Sequence, residues 1–254
     1  EEHYQRNIVR FDDFLKLFRE VFTVRVKEGM VAVKLLLAVF RPLDFQQISM
    51  SEAEKAFNSI LLRFKPNGSQ QYQNEGPAWE KVKLLQDFMV HQTLYHALIH
   101  DLTVQIHGGF QLGKRNTLAN SDPKLLNNLF IQYPNLNFVV LHSAMPFSYD
   151  LAFMAKNFRN LYMDFSWTNT LAPAITKRLF SEVLELLPVY KIIGFGCDNS
   201  TVEAAYSEAV TVRQMLASVL TKKVESGYFT ESEAIQIGER VLRQNAIDLY
   251  KLAV

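Results

Sequence analysis

Five residues of catalytic or metal-ligating type stand inside or directly after short apolar runs. Lys34 lies within Met30 to Val39, His107 follows Val104-Gln-Ile, His142 follows Phe138-Val-Val-Leu, Asp164 follows Leu161-Tyr-Met, and Asp198 follows Ile192-Ile-Gly-Phe-Gly-Cys. In a parallel α/β protein the strand interior packs and the carboxyl end of each strand faces the site, so this placement gathers chemistry at one rim. Neutral imidazoles with a carboxylate suit a divalent metal of the zinc type, which lowers the pKa of its bound water to about 7. A histidine at the same rim that holds no metal can act as general base or hold developing charge. Each residue alone also has a plain structural role: a hydrogen-bonded strand-end His, a helix-capping Asp, a Lys that reaches the rim. The joint placement of His107, His142 and Asp198 in successive βα units favours function. The sequence contains no His-X-His, although a barrel metal site normally needs a third or fourth protein ligand.

Other residues of reactive type carry less. His91, His96 and His100 share one long helical stretch with no zincin pattern, and read as a partly buried face. Cys197 reads as a small buried thiol. Gly108-Gly109 and Gly194-X-Gly196 lack phosphate-loop spacing and read as room for backbone beside a crowded site.

The elements that must position these groups alternate along the chain. Apolar runs at Ile8-Val-Arg-Phe, Met30 to Val39, Leu102 to Ile106, Phe138 to Leu141, Leu161 to Phe165 and Lys191 to Phe195 read as strands buried on both faces. Helical segments separate them. Asp12 caps one that ends at Gly29, Ser51 and Glu54 form a capping box, Pro77 leads a stretch to His100, Asp122-Pro123 opens another, and Thr230 with Glu233 caps the last, which ends near Tyr250. Strand and helix in strict alternation demand right-handed crossovers and a parallel sheet. The chain reads as one domain with an insertion at about residues 41–79, whose part from Phe64 to Pro77 is polar and turn-rich.

Composition narrows the class. The 254 residues carry a formal charge of +1 with basic residues scattered, which speaks against nucleic acid and an anionic membrane as partners. The longest apolar run, Met30 to Phe40, is interrupted by Lys34 and too short to span a bilayer. The single cysteine excludes an internal disulfide and fits a reducing, cytoplasmic setting. No nicotinamide, flavin or nucleotide motif is present. A start at Glu-Glu-His-Tyr reads as a processed or truncated piece.

Five ordered segments resemble the amidohydrolase-2 branch of the metal-dependent amidohydrolase superfamily: Val104-Gln-Ile-His-Gly-Gly-Phe, Asn135-Leu-Asn-Phe-Val-Val-Leu-His142, Phe158 to Trp167, Gly194-Phe-Gly-Cys-Asp198 and Gln244 to Tyr250. The likeness spans about Met30 to Leu252 and is nearest to the amidohydrolase-like part of nodulin/glutamine-synthetase fusion proteins. It implies a (β/α)8 TIM-type barrel in which His107 and Asp198 are metal ligands, His142 and Asp198 serve catalysis, and Lys34 sits on the fourth strand at the substrate side. It further implies a divalent metal, zinc above all. The family's first-strand His-X-His has no counterpart here, so the barrel is expected to lack its first two strands and this chain to hold metal weakly. The usual Gly-Ser-Asp is Gly196-Cys197-Asp198.

The expected activity is hydrolysis of a C–N bond in a small polar substrate. A decarboxylase of the same branch and a non-catalytic regulatory or assembly barrel are the alternatives. Substrate contacts are expected from Lys34, Phe110, Gln111, Phe147, Trp167 and the insertion. Edge strands at Ile8-Val-Arg and Ile192-Ile-Gly are expected to be covered by a second copy, by a missing amino-terminal segment or by the insertion, since bare parallel edges are poorly tolerated.

Overall fold

The computed structural model describes residues 8–61, 77–112 and 117–253. They form two compact units. The first contains three helices, α1 (Phe11–Lys27), α2 (Met50–Leu61) and α3 (Pro77–Ile99). Its core gathers Phe11, Leu15, Ala53, Phe57 and Phe88, with Ile8, Phe14 and Leu85 packed against them. His96 and His100 stack in an aromatic group with Phe18 and Phe22, as a partly buried helix face.

Three expectations are corrected in this unit. The run Ile8-Val-Arg-Phe is not a strand: Phe11 opens α1, because it belongs to the apolar face with Leu15 and Phe22, and Asp12 and Asp13 favour the helix start. Asp12 itself is in the first turn, and Arg10 is the cap residue. The capping box of α2 is Ser49 with Glu52 rather than Ser51 with Glu54. The Glu52 N–H donates to Ser49 Oγ at 3.2 Å and the Ser49 N–H to Glu52 Oε2 at 3.0 Å. Of the expected insertion, residues 44–61 and 77–79 belong to this helical unit, while most of the polar stretch from Phe64 lies outside the described residues.

The second unit holds an open sheet of five parallel strands: β1 (Ala32–Leu35), β2 (Thr103–His107), β3 (Phe138–Leu141), β4 (Leu161–Asp164) and β5 (Ile192–Ile193). Spatial order equals chain order, the arrangement of part of a (β/α)8 barrel. With β2 as the fifth barrel strand, β1 is the fourth, so the sheet begins one strand later than expected. The helices are α4 (Asn127–Gln132), α5 (Ser148–Asn157), α6 (Thr168–Leu171), α7 (Pro173–Leu186), α8 (Val202–Glu225), α9 (Glu231–Glu239) and α10 (Asn245–Tyr250), with a π-helical turn at Arg240–Gln244 joining the last two. Thr230 and Glu233 cap α9 as expected.

Strand alternation gives the sheet two faces. Val104, Ile106, Phe138, Val140, Leu161 and Met163 are fully buried on one. On the other, Val139, Leu141 and Ile193 pack against Leu249, with Ala246 and Tyr250 beside them. Thr103 Oγ1 donates to Leu249 O at 3.0 Å and Gln105 Nε2 to the Tyr250 hydroxyl at 2.8 Å. Burial pushes that hydroxyl up to about 12. The same carboxy-terminal segment takes up backbone groups at the outer edge of β5. The Gly194 N–H donates to Val241 O at 2.7 Å, and Asn245 Nδ2 donates to Val189 O at 2.7 Å and Ile192 O at 2.9 Å.

Lys191 is buried just before β5, and its Nζ donates to Ala155 O at 2.7 Å and Phe158 O at 2.6 Å, the carbonyls at the end of α5. Burial, with the Lys156 charge adding, lowers its pKa to about 8. A folded-state pKa below the unfolded value near 10.5 means the native state binds fewer protons between these values. Stability should therefore rise as pH climbs from about 8 to about 10.5, by up to roughly 3 kcal/mol. Chemical denaturation across that range should show this rise in the wild type and not in Lys191→Met. Asn245→Ala should lower unfolding stability by about 1–2 kcal/mol at neutral pH, because it takes the side-chain donor from the Ile192 carbonyl and leaves Val189 O with the Ile192 N–H alone.

Candidate functional site

The alternation of β2 sets Thr103, Gln105 and His107 on one face, and the chain then turns through Gly108 and Gly109. Gly109 has φ +73°, and a Cβ on it would lie 2.2 Å from Met145 O. A Cβ on Gly108 would lie 2.6 Å from a Val140 methyl. This close approach seats the loop after β2 on the loop after β3 and brings the His107 and His142 rings to 4.5 Å.

His142 is presented by an unusual turn. His142, Ser143 and Ala144 have φ values of 59°, 49° and 47°, a left-handed run without glycine. Such residues cost roughly 1–2 kcal/mol each and need external support. Asp164 supplies it from the end of β4. Its Oδ1 accepts the His142 N–H at 3.4 Å, the Ser166 N–H at 2.9 Å and the Ser166 hydroxyl, while its backbone O accepts the Ser143 hydroxyl at 3.1 Å. Burial pushes the Asp164 carboxyl up and the Ser166 hydrogen bonds pull it back.

These contacts define the protonation of both rings. His142 Nδ1 lies 2.9 Å from Ser166 O, a pure acceptor, so Nδ1 carries the proton and Nε2 points elsewhere. Asp198 Oδ2 stands 3.3 Å from that Nε2, at ion-pair distance but without hydrogen-bond alignment. His107 Nε2 lies 3.3 Å from Phe110 O and donates to it, which leaves Nδ1 as a buried lone pair without a hydrogen-bond partner. Burial lowers the His107 pKa to about 4, and the neighbouring His142 and Lys34 charges add to this against the Phe110 carbonyl and Asp198. His107 is therefore neutral at pH 7, the form that binds metal.

Asp198 follows β5 in a left-handed conformation with its side chain 45% exposed. Trp167, also left-handed, donates its N–H to Gly196 O at 2.8 Å and so ties the loop after β4 to the loop after β5. Its ring lies 5.5 Å from that of His142 and stacks on Phe110 at 6.2 Å. His107, His142, Asp198, Phe110 and Trp167 thus share one rim. Lys34 is exposed on β1 and reaches His107 through its charge. Gln111 is buried, and Phe147 is half-buried with the Lys124 ammonium 5.8 Å over its ring. Cys197 is half-buried. Ser143 and Ser166 support the site through Asp164 and carry no strand-end signal; only the spacing Asp164-Phe-Ser166 could have pointed to the second of them.

The donor set suits a divalent ion in part. The buried lone pair of His107 and the partly exposed carboxylate of Asp198 are donors of the type such an ion takes. Among the described residues no group of three or more His, Cys, Asp or Glu side chains is arranged to hold a metal ion.

Comparison with known proteins gives the family and the fold. The sequence profile of the amidohydrolase family matches residues 61–252. The chain is 28% identical over 180 residues to Protein fluG of Emericella nidulans, a match that takes in 67% of this chain and 20% of that protein. A "putative metal-dependent hydrolase" from Lactobacillus casei superposes with a TM-score of 0.78 at 22% identity, over 96% of this chain and 62% of that one. Uronate isomerase from Thermotoga maritima gives 0.77 at 16% identity, over 98% and 56%. At such identities these two structures share the fold alone. The chain spans a fifth of the curated relative and about three fifths of the first of these structures. The profile match contains β2 to β5 and every rim residue from His107 to Asp198, and the chain belongs to the amidohydrolase family.

Proposed function

We propose that this chain contributes the carboxyl-side half of a metal-dependent hydrolase site that cleaves a C–N bond in a small polar substrate. The observation that carries this is the tautomer of His107, whose Nε2–H is held by Phe110 O and whose Nδ1 is left bare beside His142 and Asp198. His107 and Asp198 hold the ion, and the remaining ligands come from elsewhere in a longer protein. Zinc is the ion that an imidazole and a carboxylate favour at an open site. When bound it supplies Lewis-acid polarisation of the scissile carbonyl and acidifies water.

The chain's own groups do the rest. His142, with Nδ1–H fixed on Ser166 O, has only Nε2 for proton transfer, and Asp198 steadies it there once protonated. Trp167 and Phe110 form an aromatic wall that covers His142 from water and lies against the apolar part of a substrate. Lys34 offers an ammonium to a substrate carboxylate. The outer edge of β1, flanked by exposed Val31 and Leu36, is where a further strand from the longer protein or from a second copy pairs. The lone Cys197 suits a reducing, cytoplasmic setting; among the described residues no helix is long and apolar enough to cross a membrane.

Calorimetric titration with zinc should give weak binding to this chain. His107→Ala and Asp198→Asn should each weaken it at least about tenfold, whereas His142→Asn should leave it within about threefold. In a protein extended to include the missing ligands, assayed on a panel of N-acyl amino acids, His142→Asn should lower turnover by about 10²–10⁴. Unchanged turnover in that variant would overturn the assignment. A metal-free, inactive extended protein would favour a non-catalytic barrel.

A further inference from the structure

We propose that Glu208 is a positioning residue that fixes Asp198 through Asn199. This rests on Asp198 being a metal ligand. Asp198 occupies a left-handed conformation, φ +47°, on a loop that leaves the short strand β5 and enters α8 through the capping Thr201. Asp visits that region more readily than most residues, so on a partly exposed loop its hold on one conformation depends on neighbouring groups that over-determine it. The described contacts place one such device there. Asn199 Nδ2 donates to Cys197 O at 3.0 Å and to Glu208 Oε2 at 2.9 Å. Its two amide hydrogens thus span Asp198 on one side and anchor to a helix on the other.

The anchor is a carboxylate only 3% exposed, nearly two turns into α8, and Oε1 makes no hydrogen bond of normal geometry. Burying a carboxylate is costly, and a structural cap for one amide would need only a neutral acceptor. A charged acceptor makes the stronger, shorter bond and so the stiffer link. Burial pushes the Glu208 carboxyl up, and looser hydrogen bonds from Thr170 and the Trp167 backbone join that of Asn199 in pulling it back. Glu208 therefore contacts two of the loops that bring side chains to the rim, the one after β4 with Trp167 and the one after β5 with Asp198. Mutation of such supporting groups typically weakens metal binding about 10–100-fold.

Two readouts test this on the 254-residue chain: the ¹⁵N order parameter of the Asp198 amide in metal-free protein, and the affinity for zinc ion alone. In Glu208→Ala the order parameter should fall from about 0.85 to below about 0.6, with α8 unchanged, and zinc affinity should fall about tenfold. Asn199→Ala, which severs the link from its other end and leaves α8 intact, should do the same, and the double variant should add nothing. Glu208→Gln keeps an acceptor for Asn199 without its charge and should restore both readouts in part, to between Glu208→Ala and the wild type. An Asp198 amide as rigid in Glu208→Ala or Asn199→Ala as in the wild type overturns the proposal. Loosening of the loop with unchanged zinc affinity, in a protein where Asp198→Asn is also without effect on zinc, sustains the Glu208 link and instead refutes Asp198 as a ligand.

Discussion

A buried carboxylate at the end of β4 holds together a turn that the backbone would not adopt unaided. Asp164 accepts the His142 N–H and two donors from Ser166, and its own carbonyl takes the Ser143 hydroxyl. Three consecutive left-handed residues without glycine are costly, and hydrogen bonds to a desolvated carboxylate are of the same order, roughly 1.5–3 kcal/mol each. The clamp sets more than the position of His142. By fixing Ser166 it also fixes the carbonyl that receives His142 Nδ1–H, so one group determines where the ring sits and which nitrogen is left for chemistry. The loop after β2 leans on the same turn through Gly109, and the aromatic wall of Trp167 follows Ser166 directly.

The sheet beneath this rim is an open piece of a barrel, and the chain's own carboxy-terminal segment makes it a packed structure. Val241 and Asn245 take up the edge of β5, while Leu249 and Tyr250 lie on the face that carries Gln105 and Val139. The same face, one layer higher, carries His107 and Asp164. Leu141 and Ile193, level with His107 and Asp164, join that packing, so the reactive side chains stand at the margin of the packed face, at the carboxyl end of the strands where a parallel barrel carries its site. Among the described residues β1, the other end of the strand order, pairs with β2 alone.

Much of this was legible in the residues. The runs at Leu102, Phe138, Leu161 and Lys191 are strands because β-branched and aromatic residues without polar alternation suit burial on both faces, and their last polar residues reach the rim by strand geometry alone. Ile8-Val-Arg-Phe has the same composition and fails, since its last member fits a helical face that continues through Leu15 and Phe22. Lys191 to Phe195 pairs over only two residues, because the Gly194 N–H turns to Val241, far away in sequence. The supporting groups were hidden for the same reason. Ser166 meets His142 across 24 residues and Glu208 meets Asn199 from a helix face, and neither pairing leaves a periodic mark in the chain.

The account turns on which nitrogen of each ring carries the proton. ¹⁵N NMR of the imidazoles in metal-free protein at pH 7 reads this directly. The predicted spectrum has His107 protonated at Nε2 with an unprotonated Nδ1, and His142 protonated at Nδ1. A His107 protonated at Nδ1 would contradict the account, because the lone pair on which the metal site is built would not exist.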